Sequence, residues 1–424
     1  MRTILASVTA GAVLAALAMA QPPSFTLRDL GTLPGGTFSI PGVLSQTGVV
    51  TGVSGAPDGT QHAVVWQGSQ IIDIGVPGLG GPNSAAFGES RGVVVGQADS
   101  PTIDPNQENF CGFGSPHMCL PFRWQNGVMT ALPLLPGGNN GGAGPINVHG
   151  EISGTTETGT IDPECSQGIA PDGSPSPQVL DYKGVVWGSN SQIVRMLEPL
   201  GGDTVSLALW INDVGQSVGV SGRCRNVILP PLAAGPHSVL WEKDGSVQDI
   251  GNLGSTTLNV PLAVNNRGQV VGGSGTAPDS TPQNGVHAFL WTKQTGIHDL
   301  GILPGDVVSI ATAISDAGGV VGASFDANGM PSAVVWHDGI ITDLNDLIPQ
   351  SSLYLAFAAA INNTGEIAGW GLDRVTGEMH AFLATPTGAI FGGASLTPAQ
   401  KRVRPAAPGG FDKLLRGRIG MGRR

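Results

Sequence analysis

Residues Leu262 to Gly275 read LAVNNRGQVVGGSG, and they are followed by HAFLW from His287 to Trp291 and GIHDLG from Gly296 to Gly301. The same phrases return as TAISDAGGVVGASF (Thr312 to Phe325), AVVWHDG (Ala333 to Gly339) and IITDLN (Ile340 to Asn345). A further copy, AAAINNTGEIAG (Ala358 to Gly369) with HAFLA (His380 to Ala384), ends the series. Reading backwards, the glycine that closes Gly-x-Val-Val-Gly recurs at Gly52, Gly96, Gly154, Gly219, Gly272, Gly322 and Gly369, at separations of 44 to 65 residues. Apolar pentamers ending in Trp66, Trp124, Trp187, Trp241, Trp291 and Trp336 keep step, and Ala384 stands in the seventh copy. Repetition at such a period marks a solenoid or a propeller, and terminal copies are commonly atypical.

Each unit holds four strand-like segments separated by turn signals. The first ends in a polar turn closed by glycine, as in Asn265-Asn266-Arg267-Gly268, Ser315-Asp316-Ala317-Gly318 and Asn362-Asn363-Thr364-Gly365. Glycine reaches the positive φ of such a turn without steric cost. The second strand is Gly-x-Val-Val-Gly, the third His-Ala-Phe-Leu-Trp, and the fourth leads into Asp-Leu-Gly. These runs are apolar on both faces, as strands buried on both sides are. Seven four-stranded units that each need a neighbour predict an all-β, seven-bladed β-propeller, with a linear solenoid as the competing architecture. The stretch FTLRDLG (Phe25 to Gly31) is a fourth strand with no first three before it, whereas the seventh unit has no good fourth after Leu383. The N-terminal strand is therefore expected to pair with the last blade and remove the free edges of an open array.

Composition agrees. Among 424 residues there are 66 Gly and 32 Pro, which excludes a helical bundle or coiled coil. The 40 % hydrophobic content is ample for a core, so the chain as a whole is not a disordered one. Residues Met1 to Ala20 place Arg2 before an apolar run from Ile4 to Leu17 and end in Ala18-Met19-Ala20. That pattern predicts a signal peptide at 1–20, a retained anchor helix being the alternative, and no later stretch is long enough to span a membrane. The propeller is assigned to 21–395 and a basic, disordered tail to 396–424. In that tail eight Lys and Arg stand against Asp412, a balance of +7; with Arg2 set aside, the rest of the chain carries −19. An acidic body disfavours nucleic acid as a partner, whereas the tail suits an anionic envelope surface.

The combination of His-Ala-Phe-Leu-Trp, Asp-Leu-Gly-x-Leu and Ile-Asn-x-x-Gly-x-Val-Val-Gly resembles the HAF repeat of secreted bacterial proteins, named for tripeptides such as His287-Ala288-Phe289. The resemblance runs from about Phe25 to Ala384, although Gly184 and Ser332 replace His and Pro121 opens a divergent PFRW. It implies an extracellular repeat protein and no established reaction.

Four cysteines in an exported chain imply two disulfides with three possible pairings. Cys111 and Cys119 fall between the second and third strands of unit two, Cys165 in that position of unit three and Cys224 in that of unit four. We expect Cys111–Cys119 to close a local loop and Cys165–Cys224 to tie neighbouring blades; no Cys-x-x-Cys or spaced His cluster supports a metal site instead. These inserts make units two to four the long ones, and they are the expected place for a ligand. Asp104, Asn106 and Glu108 alternate in the first insert and could offer oxygen ligands to calcium, but the spacing of a dedicated loop is missing. The preferred reading is a solvated acidic loop.

Two Gly-x-Ser-x-Gly matches, Gly88 to Gly92 and Gly215 to Gly219, would nominate a serine hydrolase. Aligned with the repeat, the second is a strand and the first a turn, and neither opens a helix. The recurrent His62, His237, His287 and His380, with Asp29, Asp73, Asp249, Asp299 and Asp343, could pass for acid–base pairs. A catalytic pair is needed once, so repetition points to hydrogen bonding within the fold. The repeated Trp is read as core, and Asn362-Asn363-Thr364 as a glycosylation sequon inside a repeat turn.

The expected protein is a secreted, monomeric, non-enzymatic recognition scaffold without cofactor, whose ligand is a glycan, a cell-envelope polymer or another protein. The alternative is a secreted carbohydrate-active enzyme with carboxylates at the propeller channel. Unique acidic, His or Arg side chains clustered at one channel mouth would mark that enzyme, and a third reading makes the chain a structural envelope component held by its tail.

Overall fold

The turn that ends each first strand sets the geometry. Gly48, Gly92, Gly150, Gly215, Gly268, Gly318 and Gly365 all sit at φ between 74° and 88°, where a side chain would be strained. In this computed structural model, which describes residues 24–167, 178–229, 233–348, 351–388 and 404, those seven turns open seven four-stranded antiparallel sheets. Blade 1 comprises Ser39–Leu44, Val50–Gly55, Gln61–Gln67 and Gln70–Asp73. Blade 2 comprises Ser84–Ser90, Val93–Ile103, His117–Gln125 and Val128–Ala131; blade 3, Gly141–Ile146, Ile152–Ile161, Leu180–Trp187 and Ile193–Leu197. Blade 4 comprises Val205–Ile211, Ser217–Gly222, His237–Trp241 and Val247–Asp249; blade 5, Asn259–Val264, Val270–Gly275, Val286–Thr292 and Gly296–Gly301. Blade 6 is Asp306–Ile314, Val320–Asp326, Pro331–His337 and Ile340–Asp343. Blade 7 takes Leu353–Ile361, Ile367–Asp373 and Met379–Pro386 from the C-terminal end and Phe25–Gly31 from the N-terminal end. Among the described residues the one α-helix is the single turn Leu344–Leu347, capped by the Asp343 carboxylate.

The protein is thus a seven-bladed β-propeller closed by its own N-terminal strand, with Leu27 opposite Ala384 and Asp29 opposite Phe382. The solenoid is excluded by that closure. The expected signal peptide at 1–20 and the expected basic tail at 396–424, Arg404 apart, lie outside the described residues.

The repeated glycine has a steric origin that periodicity alone does not reveal. In every blade the first strand carries a β-bulge beside the residue that faces this glycine, for example between Pro261 and Ala263 opposite Gly272. The bulge drives a first-strand carbonyl against the second strand. A Cβ on Gly52, Gly96, Gly154, Gly219, Gly272, Gly322 or Gly369 would meet the carbonyl oxygen of Ile40, Ala85, Gly142, Leu207, Val260, Ile310 or Phe357 respectively, well inside 3.0 Å. Only glycine fits opposite such a bulge.

Blades are sealed to one another by buried serines. First-strand Ser39, Ser84, Ser206 and Ser309 accept from the backbone N–H of Ala381, Ala63, Gly184 and Ala288 in the preceding blade, at 2.8 to 3.0 Å. Second-strand Ser54, Ser221, Ser274 and Ser324 accept from the N–H of Leu33, Leu200, Leu253 and Leu303 in the linkers. Each bond satisfies a buried donor that a blade cannot pair by itself. The repeated tryptophans Trp66, Trp187, Trp241 and Trp336 are fully buried between blades, as expected of core residues.

Candidate functional site: the two mouths of the central channel

First strands line the channel. Its lower end carries the turns between first and second strands, and its upper end carries the second-to-third connections, where the inserts lie. A cavity of about 520 Å³ occupies the lower half and one of about 740 Å³ the upper half, with Val43, Pro145 and Trp210 shared between them.

At the lower mouth, turn tips clasp one another around the ring. Asp213 N–H donates to Asn266 Oδ1, Asn266 N–H to Asp316 Oδ1, Asp316 N–H to Asn363 Oδ1 and Asn363 N–H to Gln46 Oε1, all at 2.8 to 2.9 Å. Asn266 Nδ2 also bridges the carboxylates of Asp213 and Asp316, at 3.0 and 3.1 Å. Both acids are therefore repeat-turn residues already engaged by amides. Deeper in the same turns, Asn362 donates to the Ser45 carbonyl and is fully buried, so the sequon asparagine is inaccessible in the folded chain.

The upper mouth is built differently. Phe87, on the blade 2 bulge, and Trp210 line the upper cavity together with Phe110 and Phe113 from the blade 2 insert. Both disulfides pair as expected, Cys111 with Cys119 and Cys165 with Cys224, the second joining blades 3 and 4. Cys119 lies within the third strand, opposite Asp99, because the second and third strands of blade 2 run on beyond the repeat. The two disulfides share one apolar cluster with Phe110, Tyr182 and Val227, and Phe110 meets Tyr182 edge-on at 6.2 Å. The inserts of blades 2, 3 and 4 thereby form one cap on one side of the mouth.

Beneath this cap the expected solvated acidic loop is overturned. Asp104 and Glu108 are 1 % exposed, and they meet Glu157, also fully buried, with carboxylate oxygens within 4.8 Å of one another. Neutral donors from two segments converge there: Asn106 N–H on Asp104 at 2.6 Å, and from residues 178–180 Val179 and Leu180 N–H on Glu108 at 2.5 and 3.0 Å and Gln178 Nε2 on Glu157 at 2.9 Å. Asn140 Nδ2 reaches Asp104 at 2.6 Å, Glu157 at 3.1 Å and Glu108 at 3.4 Å, while its Oδ1 accepts from Cys119 N–H. An amide donor thus occupies the centre of the oxygen set that calcium would otherwise take. Burial, and then the neighbouring Glu108, push the Glu157 carboxyl up to about 8, so it holds a proton at neutral pH. Asn106 is half-buried and serves this network through its backbone.

The recurrent His–Asp pairs are structural. Nδ1 of His62, His237, His287 and His380 lies 2.7 to 2.9 Å from Oδ2 of Asp73, Asp249, Asp299 and Asp29. The other oxygen of each Asp accepts the N–H two residues on, at Gly75, Gly251, Gly301 and Gly31. Asp343, whose blade has Ser332 at the repeat His position, caps the short helix instead. Ser217 of one hydrolase-like motif is fully buried in a strand, and Ser90 of the other ends one. Sequence reading missed Asn140, Glu157 and Gln178, and the mouth aromatics Phe87, Phe113 and Trp210. Of these, only Trp210 carries a signal, since it stands outside the repeated third-strand position.

No protein-family model matches the chain, and no curated protein matches it in sequence. Several solved structures resemble it distantly. TolB from Acinetobacter baumannii has TM-score 0.41 and 10 % identity, over 81 % of this chain but only 64 % of that one, less than two thirds of its length. A prolyl endopeptidase has TM-score 0.45 and 8 % identity, over 86 % of this chain and 50 % of that one. The SapL1 lectin, in complex with alpha methyl fucoside, has TM-score 0.33 and 9 % identity, over 86 % and 98 %. The propeller assignment rests on the sheet topology, not on these likenesses. Two disulfides fit a non-cytoplasmic compartment. Among the described residues, no helix is long and apolar enough to cross a membrane.

Proposed function

We propose that this chain is a secreted, non-enzymatic recognition scaffold of the HAF-repeat type, and that its ligand sits in the upper mouth of the channel. The carrying observation is the upper cavity of about 740 Å³, walled by Phe87, Phe113 and Trp210, edged by Gln61, Gln97 and Thr155, and lined by no ionisable side chain among the described residues. Aromatic faces beside neutral amides suit a sugar ring or the apolar side chain of a peptide, and they supply no acid or base for bond cleavage. The ligand class is accordingly a glycan, an envelope polymer or a protein segment. The carbohydrate-active alternative needs free carboxylates at a mouth; of the acids lining the lower cavity, Asp213 and Asp316 are held by Asn266, and Glu89, which lines it together with Arg91, accepts the Gly92 N–H.

The test is to screen the purified full chain against glycan and cell-envelope arrays, and then to repeat the positive hits with Phe87→Ala and Phe113→Ala. The expected result is saturable binding that falls about tenfold or more in each variant, since aromatic contacts carry roughly 1–3 kcal/mol. Saturable binding untouched by both substitutions sinks the placement, and turnover of a bound glycan sinks the non-enzymatic reading.

A further inference from the structure

Blade 2 departs from the repeat at three places that meet at its lower end. Its turn between first and second strands is one residue shorter, with four residues between the paired Glu89 and Val94 against five between Val264 and Val270 in blade 5. The tip of that turn is Arg91 and Gly92, at φ 52° and 78°. The clasp of turn tips extends to Val148 N–H, which donates to Asp213 Oδ1 at 3.0 Å, but among the described residues it makes no link to the blade 2 turn. Arg91 is exposed, and its guanidinium has no hydrogen bond or ion pair among the described residues. Arg123, in the PFRW third strand, stands where the other blades carry Val65, Val186, Leu240, Leu290, Val335 and Leu383. Its Nη2 donates to Gln125 Oε1 at 2.9 Å, an anchor that engages one nitrogen of the fork. Trp124 is half-buried, whereas Trp66, Trp187, Trp241, Trp291 and Trp336 are buried, and it lines the lower cavity.

The two arginines line one small cavity of about 130 Å³ at the seam of blades 2 and 3. Blade 3 contributes His149, Ser189 and Ser191, and blade 2 adds Ser90. No carboxylate lines it among the described residues, although the chain as a whole carries −11. Two guanidinium forks, an imidazole and three hydroxyls with no acid among them fit one oxyanion, and a void of this size takes a single charged group. Ser90, Arg91, Ile146 and Val148 line both this cavity and the lower one, so the seam opens toward Trp124, Gln46 and Gln67. We propose that the seam of blades 2 and 3 is a second binding site, separate from the upper mouth, for an acidic sugar. Arg91 and Arg123 take the oxyanion, a carboxylate or a sulfate ester, while the ring lies beside Trp124 and the glutamine amides. A polyphosphate chain is disfavoured, because the cationic surface is one pocket in an acidic body.

Saturation-transfer NMR titration of the full chain at low ionic strength tests the site, with D-glucuronate, D-glucose 6-sulfate, D-glucose and N-acetylglutamate as probes. One or both charged sugars should bind saturably in about the millimolar range, the tighter of the two naming the oxyanion, and D-glucose about tenfold or more weaker. Arg123→Leu installs the residue of blades 4, 5 and 7, and Arg91→Gly suits the positive φ of the turn. Each is expected to weaken the charged sugar about tenfold with an unchanged melting temperature. Arg267→Ala, in the exposed blade 5 turn, removes one positive charge elsewhere and is expected to leave binding as it is. Absence of saturable binding, binding that survives both seam substitutions, or an equal loss in Arg267→Ala overturns the site. N-acetylglutamate bound as tightly as the charged sugars overturns the sugar and leaves an acidic peptide in its place.

Discussion

His380 and Asp29 are 351 residues apart in sequence and form a hydrogen-bonded pair of 2.9 Å across the seam where the N-terminal strand closes blade 7. The same pair occurs inside single blades at His62–Asp73, His237–Asp249 and His287–Asp299, so the closure reuses an ordinary intra-blade bond to join the chain ends. A ring without a covalent clasp is held by such bonds and by the strand register.

Titration of this pair should shape stability against pH. Burial alone would raise the Asp29 carboxyl, but hydrogen bonds from His380 and from Gly31 N–H outweigh it and hold the group below its ordinary 3.8. The bond to Asp29 raises His380 above its ordinary 6.5. Stability from the lowered acid is present above pH about 4 and is lost as pH falls through its folded value; stability from the raised imidazole is present below about 6.5 and is lost as pH rises through its folded value. Asp29→Asn is therefore expected to lower the melting temperature most between pH 4.5 and 6.5, and less above pH 8. Asp29 is exposed and His380 only partly buried, so the effect is small, about 1–3 °C, the scale of a screened pair worth up to roughly 1 kcal/mol. A deficit that is the same at every pH would deny the pair its role.

The repeat glycines offer a sharper test, because their reason is steric. Gly272→Ala places a Cβ against the Val260 carbonyl, a backbone atom that cannot move without undoing the bulge. Gly273→Ala meets only the side chains of Ile310 and Val286, each at 3.3 Å, which can give slightly. The first change is expected to cost about 2–3 kcal/mol or more and the second clearly less, as thermal or denaturant unfolding would measure. Equal costs would remove the bulge as the explanation of the repeat.

The two disulfides should contribute unequally. Cys165–Cys224 spans 59 residues and joins two blades, whereas Cys111–Cys119 spans 8 and closes one loop. In the chain-entropy picture the longer loop is worth roughly 4 kcal/mol and the shorter roughly 2–3. The double variant Cys165→Ser/Cys224→Ser is expected to melt below Cys111→Ser/Cys119→Ser, while the shorter loop should govern mouth binding because it carries Phe113 and starts next to Phe110. Reversal of the melting order would count against the inter-blade staple as the stronger tie.

Blade number, ring closure and disulfide pairing were legible because each is written in a repeated or local phrase. A Gly-x-Val-Val-Gly copy announces a blade wherever it falls, and FTLRDLG announces a fourth strand lacking its partners. The acidic insert was illegible for the opposite reason. Asp104 and Glu108 look solvated in the chain, and what buries them comes from outside the repeat: Asn140, 36 residues on, and the Val179–Leu180 backbone, about seventy residues on. No period links those positions. The channel mouth shares the difficulty, since Phe87 and Trp210 take their meaning from a bulge and from an insert two blades away. Arg404 reads as one cation among eight until its ion pair with Asp306 is seen.

The buried carboxylates make the last prediction, and its sign is that of His380 and opposite to that of Asp29. A carboxyl whose folded value lies near 8 binds a proton that the unfolded chain releases above about 4.5. The folded state is therefore progressively penalised as pH rises between those values, and the penalty levels off beyond the upper one. Glu157→Gln keeps the size of the protonated side chain and cannot ionise next to Glu108 and Asp104, but its single oxygen can serve either Gln178 Nε2 or the Asn139 and Asn140 donors and not both. Near pH 4.5 the variant should therefore lie below the wild type by the lost hydrogen bonding, and the comparison is read from how that difference changes with pH. The variant's stability relative to the wild type should then rise steadily toward pH 8, by at least about 1 kcal/mol, or roughly 2–4 °C in melting temperature. Melting curves across that range decide the matter. A wild type that gains stability relative to Glu157→Gln as pH rises would mean that the three carboxylates are all ionised under the cap and that something other than a retained proton balances them.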